Sequence, residues 1–198
     1  MTLVLLDTNA YLRLAKRIKP LLGVPFGQKG YQLTVLKAVE DEVHRSTRLQ
    51  FHYPWFDDKS LAEERLAKRV RLSKDEKAQI DAMSSVLRAH VLENAAIYTT
   101  HHRSPPSPTD CFCLAFGQVR PAIVVTDDIG MHLLAKSFEI PVWHGYELLK
   151  KMLTAKMVGV DRELIVEIYA ALERNDDLTD TWLEAKHTVF KKIFGPRP

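Results

Sequence analysis

Cysteine is almost missing from this chain: among 198 residues only Cys111 and Cys113 occur. Two thiols cannot build a disulfide framework, so a hydrophobic core must hold the fold, and a reduced, cytoplasmic setting is expected. Long hydrophobic runs are missing as well. No stretch nears the roughly 20 apolar residues that span a bilayer, and no membrane association is expected. The N-terminal apolar run is cut by Asp7 before a secretory signal could form. Neither sign of charge dominates, since 28 Lys and Arg against 25 Asp and Glu leave +3. That balance tolerates a polyanionic partner without demanding one. Repeats and low-complexity tracts are lacking too.

What is present suits an ordinary globular protein, with 46% apolar and 27% charged residues. The length suffices for one good core, or one core plus an appended helical piece. The stretch 2–6, with its apolar run Leu3-Val4-Leu5-Leu6, reads as a buried strand, followed by a helix from Asn9 to Ile18 that ends before Pro20. A loop holding Gly23, Pro25, Gly27 and Gly30 leads to a second strand, Gln32 to Leu36, and a helix from Lys37 to Arg48. Phe51 to Asp58 is aromatic and irregular. Ser60 with Glu63, and Ser73 with Glu76, each read as a capping box opening a helix. Thr109 reads as the N-cap of a helix reaching Gly117.

Ala122 to Val125 is a third strand, and a helix from Gly130 to Phe138 leads to a last strand, Ile140 to Trp143. Alternating strands and helices predict an α/β fold: three layers, α/β/α, around a central parallel sheet. From Tyr146 onward only helices are expected. A capping box at Thr181 and Glu184 precedes the apolar stripe Trp182, Ala185, Val189, Phe190 and Ile193. The expected organisation is one domain over residues 1–150, with a helical extension over 151–198 packed on it.

The acids carry the chemistry. A strand buried on both faces should not end in a carboxylate unless that group has a partner or a task. Asp7 ends the first strand and Asp127-Asp128 end the third, so both lie on one edge of a parallel sheet. Asp110, in the first turn of a helix, and Glu42, on the helix after the second strand, begin near that edge. Two such charges about 4 Å apart at an effective dielectric near 20 repel by on the order of 4 kcal/mol. Protons or a divalent cation must relieve this, and all-oxygen ligands suit Mg²⁺ or Mn²⁺. The implied chemistry is phosphodiester hydrolysis.

Several blocks resemble the PIN-domain nuclease family. Leu5-Leu6-Asp7-Thr8-Asn9 is similar to its first motif, and Val39-Glu40-Asp41-Glu42-Val43 to its second, whose frame favours Glu42 over Glu40. Thr109-Asp110-Cys111-Phe112-Cys113-Leu114-Ala115 is similar to the third, and Val124-Val125-Thr126-Asp127-Asp128 to the fourth, whose Thr-x-Asp frame favours Asp128. The run from Leu133-Leu134-Ala135 to Ile140-Pro141-Val142 continues the pattern, so the resemblance covers about residues 2–150.

It implies a metal-dependent endoribonuclease, commonly the toxin of a type II toxin–antitoxin pair. Asp7, Asp110 and Asp128 would hold metal, Glu42 would complete the catalytic set, and Asn9, Thr126 and Asp127 would orient these groups through hydrogen bonds. RNA, an antitoxin protein and a second copy of the chain are the expected partners. The chain is longer than compact members of the family, with extra helices between Arg45 and Glu93 and the helical tail.

Other assignments are weaker. Arg13, Lys16 and Arg17 share one helix face and, with His101, His102 and Arg103, either contact RNA phosphates or are a solvated surface. Cys111 and Cys113 lie two apart on a helix and do not share a face, which favours packing over zinc. A phosphatase with an aspartyl nucleophile wants a second Asp where Asn9 stands. A DNA nuclease, or a silent module that binds RNA or protein, remains the alternative.

Overall fold

The computed structural model describes residues 1–100, 103–157, 159–175 and 180–195. In chain order the elements are β1 (Thr2–Leu6), α1 (Thr8–Leu14), β2 (Pro25–Phe26), β3 (Tyr31–Thr34), α2 (Lys37–Arg45), α3 (Thr47–His52), a 3-10 turn (Pro54–Asp57), α4 (Lys59–Lys68) and α5 (Lys74–Glu93). There follow α6 (Ala95–Tyr98), α7 (Pro108–Val119), β4 (Ala122–Val125), α8 (Ile129–Ser137), β5 (Val142–Trp143), α9 (Gly145–Thr154), α10 (Arg162–Asn175) and α11 (Asp180–Phe194).

The sheet runs β2-β3-β1-β4-β5. Strands β3, β1, β4 and β5 are parallel, and β2 pairs antiparallel with β3 at one edge. Strand periodicity builds the layers. Val4 and Leu6 of β1 enter a core with Tyr11, Leu14, Leu148 and Met152. Leu5, pointing the other way, enters a second core with Leu87, Leu114 and Leu134. The same split recurs in β4, with Val125 on the first side and Val124 on the second. The result is the expected α/β/α sandwich.

The connection leaves β1 to one side for β3 and to the other for β4. Where an open parallel sheet divides in this way, a crevice opens beyond the carboxyl ends of its strands. Asp7 and the Thr126–Asp128 segment stand there, and Asp7 N donates to Val125 O at 3.1 Å, extending the β1–β4 ladder by one rung.

Several local expectations are corrected. The helix expected from Lys37 to Arg48 is two helices, because Ser46 adopts extended backbone and its hydroxyl accepts from Leu49 N to open α3. Thr109 is not a cap. Ser107 is, with Pro108 at the first helical position, where its missing N–H costs nothing. Ser60 lies inside α4 because Asp58 takes the cap position, without a side-chain bond. The box at Ser73 and Glu76 forms as expected. The first helix ends at Leu14, short of Ile18, and the loop before β3 contains the two-residue β2.

Ile165 and Ile168 of α10 and Phe190 of α11 are buried in the β1-side core, with Ile193 packed against it. Thr181 falls within α11, and its side chain and those of Trp182, Ala185 and Val189 lie outside the described residues. No helix among the described residues is long and apolar enough to cross a membrane.

Candidate functional site

Asp7 caps α1: its Oδ1 accepts from Ala10 N at 2.6 Å, the usual task of Asp before a helix. Its position departs from the usual. Only 3% exposed, the carboxyl is pushed from 3.8 up to about 7, chiefly by burial, with the charge of Asp110 adding to the rise. The Thr126 hydroxyl, the Ala10 N–H and the Arg13 cation act against it. That hydroxyl has one hydrogen, which it gives either to Asp7 or to Met131 Sδ at 3.2 Å.

Asp110 is the third residue of α7 and forms a reciprocal cap with Ser107: its Oδ2 accepts from Ser107 N at 2.7 Å while Ser107 Oγ accepts from Asp110 N. Burial drives its carboxyl up to about 6, and Asp128 and Glu42 push in the same direction. Asp128 caps α8, its Oδ1 accepting from Met131 N at 2.8 Å, and Thr126 Oγ1 accepts from Asp128 N at 3.1 Å. Glu42 accepts a hydrogen bond from the Thr8 hydroxyl, beside Asp7 in sequence.

Acids from four separate elements therefore act on one another through Asp110. The thiol of Cys113, buried beneath them, reports the same field: burial pushes it well above its ordinary value, and Asp110, Asp7 and Glu42 all add to the rise. Cys111 is buried too, and its thiol is pushed up to about 11, again by burial first. Neither cysteine is poised as a thiolate, so packing is their role here.

The tandem pair divides its tasks. Asp127 faces α1 and α9, taking Arg13 Nη1 at 2.6 Å on one oxygen and Gly145 N at 3.0 Å on the other. A Cβ at position 145 would stand 2.9 Å from Asp127 Oδ2, so the carboxylate's approach to α9 needs glycine. Asp128 caps α8 instead, and its charge raises the Asp110 carboxyl. Among the neighbouring acids, Glu40 meets Arg65 at 3.4 Å and Arg69 at 3.1 Å. Glu42, not Glu40, joins the acid edge.

Arg13 and Arg17, read from sequence as either RNA-phosphate contacts or a solvated surface, are engaged inside the chain. Arg13 holds Asp127, while Arg17 donates to Arg13 O at 2.9 Å and pairs with Glu167 at 3.1 Å. Arg103 donates to the carbonyl and hydroxyl of Thr100. Asn9 is exposed on the first turn of α1. His101 and His102 lie outside the described residues.

Sequence reading missed a histidine pair. The rings of His132 and His144 stack 3.8 Å apart, and His132 Nε2 lies 2.9 Å from Thr126 O. A carbonyl can only accept, so that nitrogen carries the proton and braces the strand end that presents Asp128. The two histidines are twelve residues apart, a spacing with no helical or strand periodicity to reveal it.

Chemically, three carboxylates each spend one oxygen on a helix start. Among the described residues, Oδ1 of Asp110 and Oδ2 of Asp128 receive no donor. These are hard oxygen donors of the kind Mg²⁺ or Mn²⁺ prefers. No group of three His, Cys, Asp or Glu among the described residues is arranged to hold a metal ion. A site here would rest on one or two carboxylates.

Compared with known proteins, the chain matches no protein-family model and no curated protein. Among solved structures it is similar to the crystal structure of FitAcB from Neisseria gonorrhoeae, with a TM-score of 0.43 and 13% identity over 72% of this chain and 98% of that one. A likeness this slight assigns neither family nor activity.

Proposed function

We propose that this acid edge is the active site of a divalent-cation-dependent endoribonuclease, with the open oxygens of Asp110 and Asp128 as the cation's protein ligands, and Asp7 and Glu42 as the neighbouring catalytic acids. The observation that carries the proposal is the mutual charge field centred on Asp110, drawn from four elements that meet where the parallel sheet divides. Structural caps have no need to face one another. Burying carboxylates together costs stability, and a bound cation offsets that cost.

Mg²⁺ binds through one or two protein carboxylates and completes its shell with water and phosphate oxygens, so a three-carboxylate cage is not required. When bound, such a cation polarises a phosphoryl oxygen and lowers the pKa of a coordinated water. The chain's own groups do the remainder. Thr8 holds Glu42, and Thr126 and the helix starts hold the carboxylates in place. Asp7, held near neutrality by burial, can keep or release a proton at the working pH.

Whether the same edge cuts DNA is settled by one assay. Labelled single-stranded RNA and DNA of equal sequence are incubated with wild type, Asp7→Asn and Asp110→Asn, with Mn²⁺, Mg²⁺ or EDTA. The proposal expects RNA cleavage by wild type with either cation, none in EDTA, and a loss of 100-fold or more in each folded variant. Unchanged cleavage by Asp110→Asn would refute the site. A toxin role, the finer reading that the sequence resemblance implies, predicts growth arrest when wild type is expressed and none with Asp110→Asn.

A further inference from the structure

We infer that a cleft at the amino edge of the sheet binds a small amphipathic anion, an apolar body carrying a carboxylate or phosphate head. The inference stands apart from the cleavage reading, because the acids lie at the other end of the helices that lead here. Helix α1 starts at Asp7 and α9 at Gly145, which receives Asp127, and the cleft opens beyond the far ends of both. The segment after α1 contributes Lys19, Val24 and Phe26, and the end of α9 contributes Ala155, Lys156 and Met157. Phe26 pairs with Tyr31, the first residue of β3, which places the cleft at the amino edge. Its volume is about 380 Å³, within the roughly 300–1,000 Å³ of small-molecule sites.

Both sides are held in shape by the chain itself. Leu21 N and Leu22 N donate to Glu64 Oε1 at 2.7 and 2.6 Å, Gly23 N donates to Leu33 O at 3.0 Å, and Gln32 Nε2 donates to Gly23 O at 2.9 Å. A loop tied this often is pre-formed, as ligand clefts usually are. Helix α9 closes with the two bonds of a Schellman turn, Lys156 N to Leu153 O and Met157 N to Met152 O. The residue at that turn is usually glycine, because its backbone is left-handed; here it is Lys156, at φ +53°. A lysine where glycine fits better works against the fold, and strain of that kind gathers at ligand sites.

Charge selects the occupant. Residues 18–31 hold Lys19 and Lys29 and no acid, while residues 148–160 hold Lys150, Lys151 and Lys156 and no acid. Two acid-free segments meeting at one cleft make a local positive field. Lys151 is engaged with aromatic faces, 4.6 Å over the Trp143 ring. Lys19 and Lys156 are exposed at the cleft, and neither meets an acid among the described residues. Two open ammonium groups beside Val24, Phe26 and Met157 suit one anionic head and one apolar body. A cation would be repelled, and a neutral polar molecule would leave the apolar surface uncovered.

The test uses two dyes with the same rings. Full-length protein is titrated with anilinonaphthalene sulfonate and with phenylnaphthylamine, which lacks the sulfonate, and binding is read by dye fluorescence. Wild type should bind the sulfonate dye more tightly, with affinity falling as salt rises. Lys156→Gln and Lys19→Gln should each weaken it about tenfold, the size of one hydrogen bond to a charged group, and leave the neutral dye unmoved. Lys156→Gly should raise the melting temperature, by easing the left-handed turn, while weakening the sulfonate dye as much as Lys156→Gln does. Octanoate or octyl phosphate should displace the sulfonate dye and octanol should not, and the stronger of the two anions names the head group.

Unchanged affinity for the sulfonate dye in the two glutamine variants would overturn the inference. So would equal affinity of wild type for both dyes, no binding of either, or displacement by octanol as strong as by octanoate. A Lys156→Gly protein that melts higher yet binds the sulfonate dye as wild type does would give the turn to folding alone and reject the site. Cleavage does not enter this readout: dye bound as described by a protein that cuts nothing keeps the cleft and rejects the acid edge, and the converse result does the reverse.

Discussion

Asp7 shows what a single buried carboxyl does to a small protein. Its proton affinity rises on folding from 3.8 to about 7, so between those values the folded chain binds more protons than the unfolded one. Stability from this group is whole below about pH 4 and is lost as pH rises through 7. Asn caps a helix as well as Asp does, so Asp7→Asn removes the charge and keeps the cap. In EDTA the variant should be more stable than wild type at pH 8, by on the order of a few kcal/mol and with a higher melting point, and equally stable at pH 3. Equal melting at both pH values would show that the burial penalty is not there. Asp7 was legible in the sequence because a carboxylate closes an apolar strand. The engagement of Arg13 with Asp127 was not, since those residues lie 114 positions apart with no periodicity linking them.

At the scale of elements, the helix starts aim the acids. Ser107→Ala should cost about 1 kcal/mol from the lost cap and also release Asp110, so cleavage should fall further than the melting shift explains. Melting and cleavage measured on the same preparation check this. Gly117 lets α7 lie close to β4: a Cβ there would stand 2.8 Å from Val124 Cγ2. Gly117→Ala should therefore cost about 1–3 kcal/mol in denaturant unfolding. Strands and most helices were readable from apolar runs together with Gly, Pro and capping residues. Caps were read less well, because Ser, Thr and Asp compete for the same position and backbone entry angle decides. Ser107 prevailed over Thr109 through Pro108, and Asp58 preceded Ser60 because the 3-10 turn enters α4 early.

At the scale of the whole molecule, one sheet with two cores makes the acid edge and the tail a single problem. Phe190 is buried against Tyr146 of α9, whose first turn receives Asp127. Phe190→Ala should lower the unfolding free energy by about 3–5 kcal/mol, as is usual for such a cavity, in one transition and not two. Two transitions would mean that α10 and α11 fold apart from the sheet. The sandwich was legible because strands and helices alternate. The convergence of Glu42, Asp110 and Asp128 was inferred from sheet-edge logic, and their field through Asp110 emerged only from the folded arrangement. The most direct test of that field is Mn²⁺ titration followed by the EPR signal of the free ion, at neutral pH, for wild type and Asp110→Asn. Tight uptake by wild type that is lost in Asp110→Asn is the predicted result. Equal uptake by both, or none by wild type, would contradict it.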